Sequence, residues 1–146
     1  MIRAFRPADM EPLMALWLAS TIAGHPFIEA RYWHESAPLV REAYLPRADT
    51  WVDERDGGLA GFISVMDGRF VGALFVAPAR FGTGVADGLM AWVQQRFPLL
   101  SLEVYMRNHR AVAFYRKWGF VPQRKLRHRD THAMTLIMAW RSEERR

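Results

Sequence analysis

At 146 residues, with a formal net charge of +5 and a pI near 10.2, the chain is long enough for one domain whose core needs no covalent staples, and its charge favours anionic partners. It contains no cysteine, which excludes disulfides, thiolate metal sites and thiol nucleophiles and agrees with a reducing cytoplasm. An apolar content of 51% excludes a disordered chain, yet no apolar run approaches the ~20 residues of a membrane span, and Met1-Ile-Arg-Ala-Phe-Arg lacks the apolar region of a secretory signal.

Ile2–Arg6 has the character of a short strand. Pro7 and Asp9 then supply helix-start signals, and Leu13, Leu16, Trp17 and Ser20 follow at helical spacing. Thr21–Phe27 is expected to break that helix, with Gly24 and Pro26 flanking His25. A second helix is expected from about Glu29 to Leu45, burying Tyr32, Leu39, Val40 and Ala43, stopped by Pro46 and kinked or split at Pro38. Strands follow at Thr50–Arg55, Leu59–Met66 and Arg69–Val76. Asp56-Gly57 and Asp67-Gly68 separate them, a strong hairpin signal because both turn residues tolerate positive φ. Gly61 and Gly72 lie inside this meander and mark bulges, close backbone approach or merely tolerated glycines.

The stretch Phe70–Trp92 passes from a β-rich run, through Pro78 and the turn formers Gly82 and Gly84, into helical spacing at Val85, Leu89, Trp92 and Val93. The first N–H groups of a helix lack internal partners and sit at the positive end of its dipole, so this strand, glycine loop and helix can cradle a phosphate or diphosphate. The loop has no Gly-Lys-Ser/Thr, which removes the lysine and magnesium chemistry of a nucleoside-triphosphate loop. A dinucleotide fingerprint would need a third glycine where Asp87 stands, although Glu103 lies about where its ribose-binding acid is expected. Pro98 ends the helix, Leu99–Tyr105 is the next strand, and the crossover between strands should be right-handed and parallel. Ala111, Phe114, Tyr115 and Trp118 then fall on one face of a second crossover helix, Asn108–Trp118, capped by Gly119. Phe120–Arg127 and Met134–Trp140 form the closing pair of strands. The late basic residues Arg124, Lys125, Arg127, Arg129 and Arg145-Arg146 have few aromatics interleaved and read as a solvated face, so nucleic acid is not the expected partner.

Two constellations, Gly82-x-Gly84-x-Ala86 after one parallel strand and Asn108-x-x-Ala111-x-x-x-Tyr115-x-x-x-Gly119-Phe120 after the next, together resemble the GCN5-related N-acetyltransferases (GNAT), of the small single-domain bacterial type. The likeness runs through nearly the whole chain, is densest over Ala73–Phe120 and is weakest in residues 20–48. It implies one domain over 1–146 of the α/β (α+β) class, with a mixed, mostly antiparallel sheet of about six or seven strands and helices on both faces. It also implies acetyl-CoA as cosubstrate and transfer of its acetyl group to a primary amine, whether of a small molecule, a peptide or a protein.

By the same resemblance Phe75, Val76 and Ala77 pair with the pantetheine arm. Main-chain N–H groups of Gly82, Thr83, Gly84, Val85 and Ala86 hold the pyrophosphate, and Asn108 contacts the cofactor near its helix start, where it also suits an N-cap. Phe81 departs from the Arg or Gln with which the family usually begins this loop, and Arg80 sits one place early. Arg110, Arg116 and Lys117 are candidates for a CoA phosphate but equally describe a basic surface. Tyr115 is the expected general acid, since a phenol of pKa about 10 can protonate a thiolate whose conjugate acid is near 8.5. Glu103 is the expected base for an amine that is mostly charged at neutral pH, with His25 and His34 as runners-up. The N–H of Val76 is expected to steady the oxyanion. No covalent acyl-enzyme and no metal are expected, because no nucleophile sits with a base and His109, His128 and His132 lack ligand spacing. The rival readings are a CoA-binding module without turnover and a basic nucleic-acid-binding protein. The acceptor region is expected in residues 20–48, where Phe27, Glu29, Tyr32, Trp33 and Glu35 can line a pocket, and in the last hairpin. A monomer and a homodimer are both compatible with the sequence.

Overall fold

A computed structural model describes residues 1–143, which leaves the Arg145-Arg146 pair of the basic segment outside the described residues. The elements run β1 (Ile2–Ala4), α1 (Met10–Gly24), α2 (Ala30–Leu39), β2 (Ala48–Arg55), β3 (Gly58–Met66), β4 (Phe70–Val76), α3 (Val85–Gln94), β5 (Leu99–Tyr105), α4 (His109–Lys117), β6 (Val121–Arg127) and β7 (Met134–Arg141). They build one seven-stranded sheet in the order β1-β2-β3-β4-β5-β7-β6, antiparallel throughout except between β4 and β5. No described helix is long and apolar enough to cross a membrane.

Both Asp-Gly turns have left-handed φ at each central residue, 54° and 79° at Asp56-Gly57 and 56° and 68° at Asp67-Gly68, the primed geometry whose twist matches the flanking strands. Period-two alternation then sends Phe62, with Val52 and Phe75, to the face covered by α1 and α2. Ile63 and Val65 go to the face covered by α3 and α4, with Leu100, Leu102, Leu136 and Met138. The two inner glycines of the meander have different causes. A side chain at Gly61 would place its Cβ 2.8 Å from Val85 Cγ1 and 2.9 Å from the Phe75 carbonyl oxygen, so its absence lets α3 sit directly on β3. Gly72 is the bulged residue, because Ser64 pairs with Ala73 while Val65 pairs with Val71.

The helical region departs from expectation in two places. Helix α1 continues through Thr21 to Gly24, since Thr21 is buried at the same helical phase as Leu13 and Trp17, and Gly24 and Pro26 provide the actual stop. Helix α2 ends one residue after Pro38 and passes into a π-helical turn at Val40–Tyr44 and a 3-10 turn at Leu45–Arg47, because the proline supplies no N–H to the ladder. Leu39, expected in the core, is 54% exposed, while Trp33 is the α2 residue that is buried, against Trp17.

Candidate functional site

Strands β4 and β5 are paired only at their start, Phe70 with Ser101, and part beyond it. The ladder partners show what that leaves open. Ala77 N–H donates to Ala60 O, so alternation turns the N–H and C=O of Phe75 toward β3 and those of Leu74 and Val76 into the gap. On the other side Met106 N–H donates to Met134 O, which by the same alternation points the main-chain groups of Glu103 and Tyr105 into the gap. Unpaired strand edges facing each other at a topological switch point are where α/β sheets bind ligands. A cavity of about 1130 Å³ occupies this place, lined by Phe75, Val76, Glu103, Tyr105, Asn108 and Tyr115 among others.

One end of the cavity is the glycine loop. Gly84 stands at φ 86° as the N-cap of α3 and contributes no side-chain cap, so the first N–H groups of the helix are left without protein acceptors. An added Cβ at Gly84 would meet nothing within 4 Å, so the loop is open where the main chain faces the cavity. Gly82, Gly84, Val85 and Ala86 line it, whereas Thr83 and Ala77 do not; the Thr83 N–H is turned onto the Arg80 carbonyl oxygen, 3.2 Å away. These features fit a diphosphate.

The cations around this loop have distinct partners. Arg80 Nη2 is drawn to Asp56 at 2.7 Å, and Lys117 Nζ to Asp87 at 2.7 Å. Asp87 also accepts from Trp118 Nε1 at 2.8 Å; Lys117 first, and then Trp118, hold its carboxyl below the usual carboxylate range against the opposing effect of burial. Asp87, in the place of a third glycine, therefore ties α3 to the end of α4. Arg110 makes no ion pair among the described residues. Its guanidinium lies 5.1 Å from the centroid of the Phe81 ring and within 4 Å of where a Gly82 Cβ would stand.

At the centre, Asn108 caps α4 by accepting from Ala111 N–H at 3.3 Å, and its Nδ2 lies 3.4 Å from His25 Nε2. His25 Nδ1 is 2.7 Å from the Thr21 carbonyl oxygen, an acceptor, so Nδ1 carries the proton and Nε2 accepts from Asn108. Burial pushes the His25 imidazole below its ordinary pKa of 6.5, partly offset by that carbonyl. His25 is thus a neutral strut between α1 and α4 rather than an open base. His34 lies in a separate groove between α1 and α2. Tyr115, on the apolar face of α4, is edge-on to Phe114 and Phe120, and burial pushes its phenol up to about 12. Glu103 is exposed to the cavity, and its Oε2 accepts from Thr135 Oγ1 at 2.7 Å.

The opposite end holds Tyr32 and Trp33, expected from the sequence, whereas Phe27, Glu29 and Glu35 do not line it, and it also collects residues that sequence reasoning did not single out. Tyr105 shares the Glu103 face of β5, a signal already present in the strand alternation. His128 and Asp130, in the turn before β7, carry no local signal. Among the described residues no three His, Asp or Glu side chains converge as a metal site requires.

A sheet that opens between two parallel strands, beside an uncapped glycine loop, with a tyrosine on the following helix, is the architecture of an acyl-group transferase that holds its donor in an extended form. The GNAT acetyltransferase domain model matches residues 46–122, and the chain belongs to the GNAT family: it is an N-acetyltransferase that moves an acetyl group from acetyl-CoA to an amine. It is 47% identical over 140 residues to the peptidyl-lysine N-acetyltransferase YiaC of Escherichia coli strain K12, covering 96% of each chain. The solution structure of apo YjaB from Escherichia coli superposes with a TM-score of 0.82 at 32% identity over 97% of each chain. The PaiA N-acetyltransferase of Thermoplasma acidophilum, solved in complex with coenzyme A, shares the fold with a TM-score of 0.80 at 17% identity, over 97% of this chain and 98% of that one.

Proposed function

We propose that the protein acetylates the side-chain amine of lysine in peptides or proteins, directly from acetyl-CoA, as a single domain over 1–146 located in the cytoplasm. The observation that carries the reading is the parting of β4 and β5 into one cavity that also contains the glycine loop and Tyr115. The names of the relatives YiaC and YjaB, both peptidyl-lysine N-acetyltransferases, support lysine as acceptor.

In this reading Gly82, Gly84, Val85 and Ala86 receive the pyrophosphate on main-chain N–H groups, with Thr83 and Ala77 shaping the loop and strand end from behind. Arg110 supplies the charge that Phe81 does not. Val76, with its N–H aimed into the gap, donates to the thioester oxygen as that oxygen gains charge, and Phe75 and Asn108 set the position of the strand and of α4. The amine attacks once it has lost its proton, forming the C–N bond as the C–S bond breaks. Glu103, directly or through water, takes the nitrogen's proton, and Tyr115 protonates the departing sulfur. A phenol near 12 stays fully loaded with its proton at any working pH. Its transfer remains feasible because the burial that raises the phenol also raises the basicity of a thiolate formed in the same cavity. The test is calorimetric titration with acetyl-CoA of the native protein and of a Gly84→Glu variant, followed by thiol-release assays with lysine peptides. Micromolar binding lost in the variant, with peptide acetylation by the native protein, supports the proposal; absence of binding overturns it.

A further inference from the structure

We propose that an aromatic slot at the end of the cavity away from the glycine loop selects the acceptor, taking an extended alkylammonium, the lysine side chain, in preference to a peptide α-amine. The inference rests on the transferase reading above. Tyr32 and Trp33 of α2, Tyr105 of β5 and His128 of the turn after β6 meet in a closed circuit. Ring centroids are 4.9 Å apart for Tyr32–Trp33, 6.4 Å for Trp33–Tyr105, 5.5 Å for Tyr105–His128 and 6.5 Å for Tyr32–His128. All four line the cavity, as do the carboxylates of Asp130 and Glu103. Aromatic faces bind alkyl chains by area and ammonium groups through their quadrupole, so aromatic walls joined to a carboxylate describe a site for a primary alkylammonium.

The slot is braced from one turn. Tyr32 hydroxyl donates to Asp130 Oδ2 at 3.2 Å, and Thr131 Oγ1 donates to Tyr105 hydroxyl at 3.3 Å. His128 Nδ1 accepts the N–H groups of Asp130 and Thr131 at 3.1 and 3.3 Å, which places its proton on Nε2. The polarity of the cavity agrees. Arg80, Arg110 and Lys117 line it around the loop, where a polyanion belongs, while the slot presents Asp130 and Glu103 in a protein of net charge +5. Arg107 also lines the cavity, with its guanidinium 5.0 Å from the centroid of the Phe27 ring, and Arg127 Nη1 is held on the His132 carbonyl of the same turn, whereas the charged side chains of that turn and of β5 that line the slot are the carboxylates of Asp130 and Glu103. Glu103 sits one alternation inward of Tyr105 on β5, so an ammonium entering past Asp130 and the aromatic walls moves toward the group assigned to take its proton.

The experiment compares steady-state kinetics on a lysine peptide with a blocked amino terminus and on a lysine-free peptide with a free amino terminus, for the native protein, Asp130→Asn and Tyr32→Phe. Asp130 is exposed, so its replacement leaves the fold intact. The lysine peptide should be preferred, and Asp130→Asn should raise its KM roughly three- to fivefold, the loss of one charge partner at an exposed site, with kcat and the KM for acetyl-CoA within about twofold. Tyr32→Phe, which keeps the ring and removes the hydroxyl that holds the Asp130 carboxylate in position, should raise the KM by roughly threefold. An unchanged KM in Asp130→Asn, or preference for the free α-amine, overturns the inference. Calorimetric titration with n-butylammonium separates the two readings if the native protein turns over no amine: binding weakened by Asp130→Asn retains the slot and refutes the transferase assignment, and absence of binding overturns the slot.

Discussion

Tyr115 and Arg110 sit one and a half turns apart on α4 and face different parts of one cavity, so they make separable predictions. Replacing Tyr115 with Phe keeps the ring packed against Phe114 and Phe120 and removes only the proton donor. General acid catalysis contributes typically about 10²–10⁴-fold, so kcat should fall by that order while the KM for acetyl-CoA holds within about twofold, measured by thiol release. The pH profile carries a second check. With the phenol pushed up to about 12, kcat at saturating lysine peptide should show no loss from Tyr115 between about pH 8 and pH 10, where a phenol of ordinary pKa about 10 would already be losing its proton. A halving of kcat by about pH 10, in protein shown by its melting temperature to be still folded, would mean that the Tyr115 phenol is not raised. Arg110 should act on binding alone. Arg110→Gln removes the guanidinium stacked on Phe81 and should raise the KM for acetyl-CoA by roughly three- to tenfold with kcat unchanged, because one charge-assisted phosphate contact is worth about 1 kcal/mol at a partly exposed site.

At the scale of elements, the site depends on how closely α3 lies on β3 and on where β4 leaves β5. Gly61 is the tightest point of that packing, with Val85 Cγ1 and the Phe75 carbonyl oxygen both inside normal contact of any added Cβ. The Phe75 carbonyl is backbone and cannot swing away, so Gly61→Ala should destabilise the protein by about 1–3 kcal/mol, the range for overpacking a filled core. Thermal denaturation measures that loss. Because relief requires α3 to shift at its first residue, the KM for acetyl-CoA should rise as well, whereas a loss of stability with unchanged KM would separate the glycine loop from the packing of its helix. The His25 strut belongs to this scale too, since it joins the end of α1 to the start of α4 through Asn108.

Across the molecule, the shifted groups predict a plateau of stability with a slope at either end. His25 has its folded pKa below 6.5, so above 6.5 both states are neutral and its contribution is complete; as pH falls, the unfolded chain takes the proton first and stability declines. Asp9, beside the Arg3 guanidinium, and Asp87, beside Lys117, have depressed folded values and lose their contribution at lower pH still, as they protonate. Tyr115 and Tyr32 behave in the opposite sense. Burial pushes both up to about 12 from an ordinary 10, so the unfolded chain ionises first and stability falls as pH rises from 10 toward 12. Melting temperatures should therefore be level between about pH 7 and pH 9.5 and drop on both sides, and His25→Gln should flatten the decline between pH 6.5 and 5.

What the sequence by itself determined is what short stretches of chain decide. The two Asp-Gly turns, the glycine loop ahead of α3, and the spacing of Asn108, Ala111, Tyr115 and Gly119 rest on φ/ψ preferences, missing N–H partners and helical period, all set within a few residues. The mixed sheet followed from these, and the site expected around Tyr115 and Glu103 followed from the family resemblance that the two constellations carry. Tertiary structure alone decided the rest. Trp33 rather than Leu39 enters the core because packing against Trp17 of α1 decides which face of α2 is covered, and no window of sequence displays that contact. Tyr32 and Asp130 are 98 residues apart and meet because β7 inserts between β5 and β6, bringing the last turn over α2. Arg110 reaches Phe81 only because the crossover packs α4 beside the loop. Local preferences are written at a spacing the chain can display in one dimension, whereas the meeting of Tyr32 with Asp130 and of Arg110 with Phe81 depends on strand order and crossover packing, which are properties of the folded sheet.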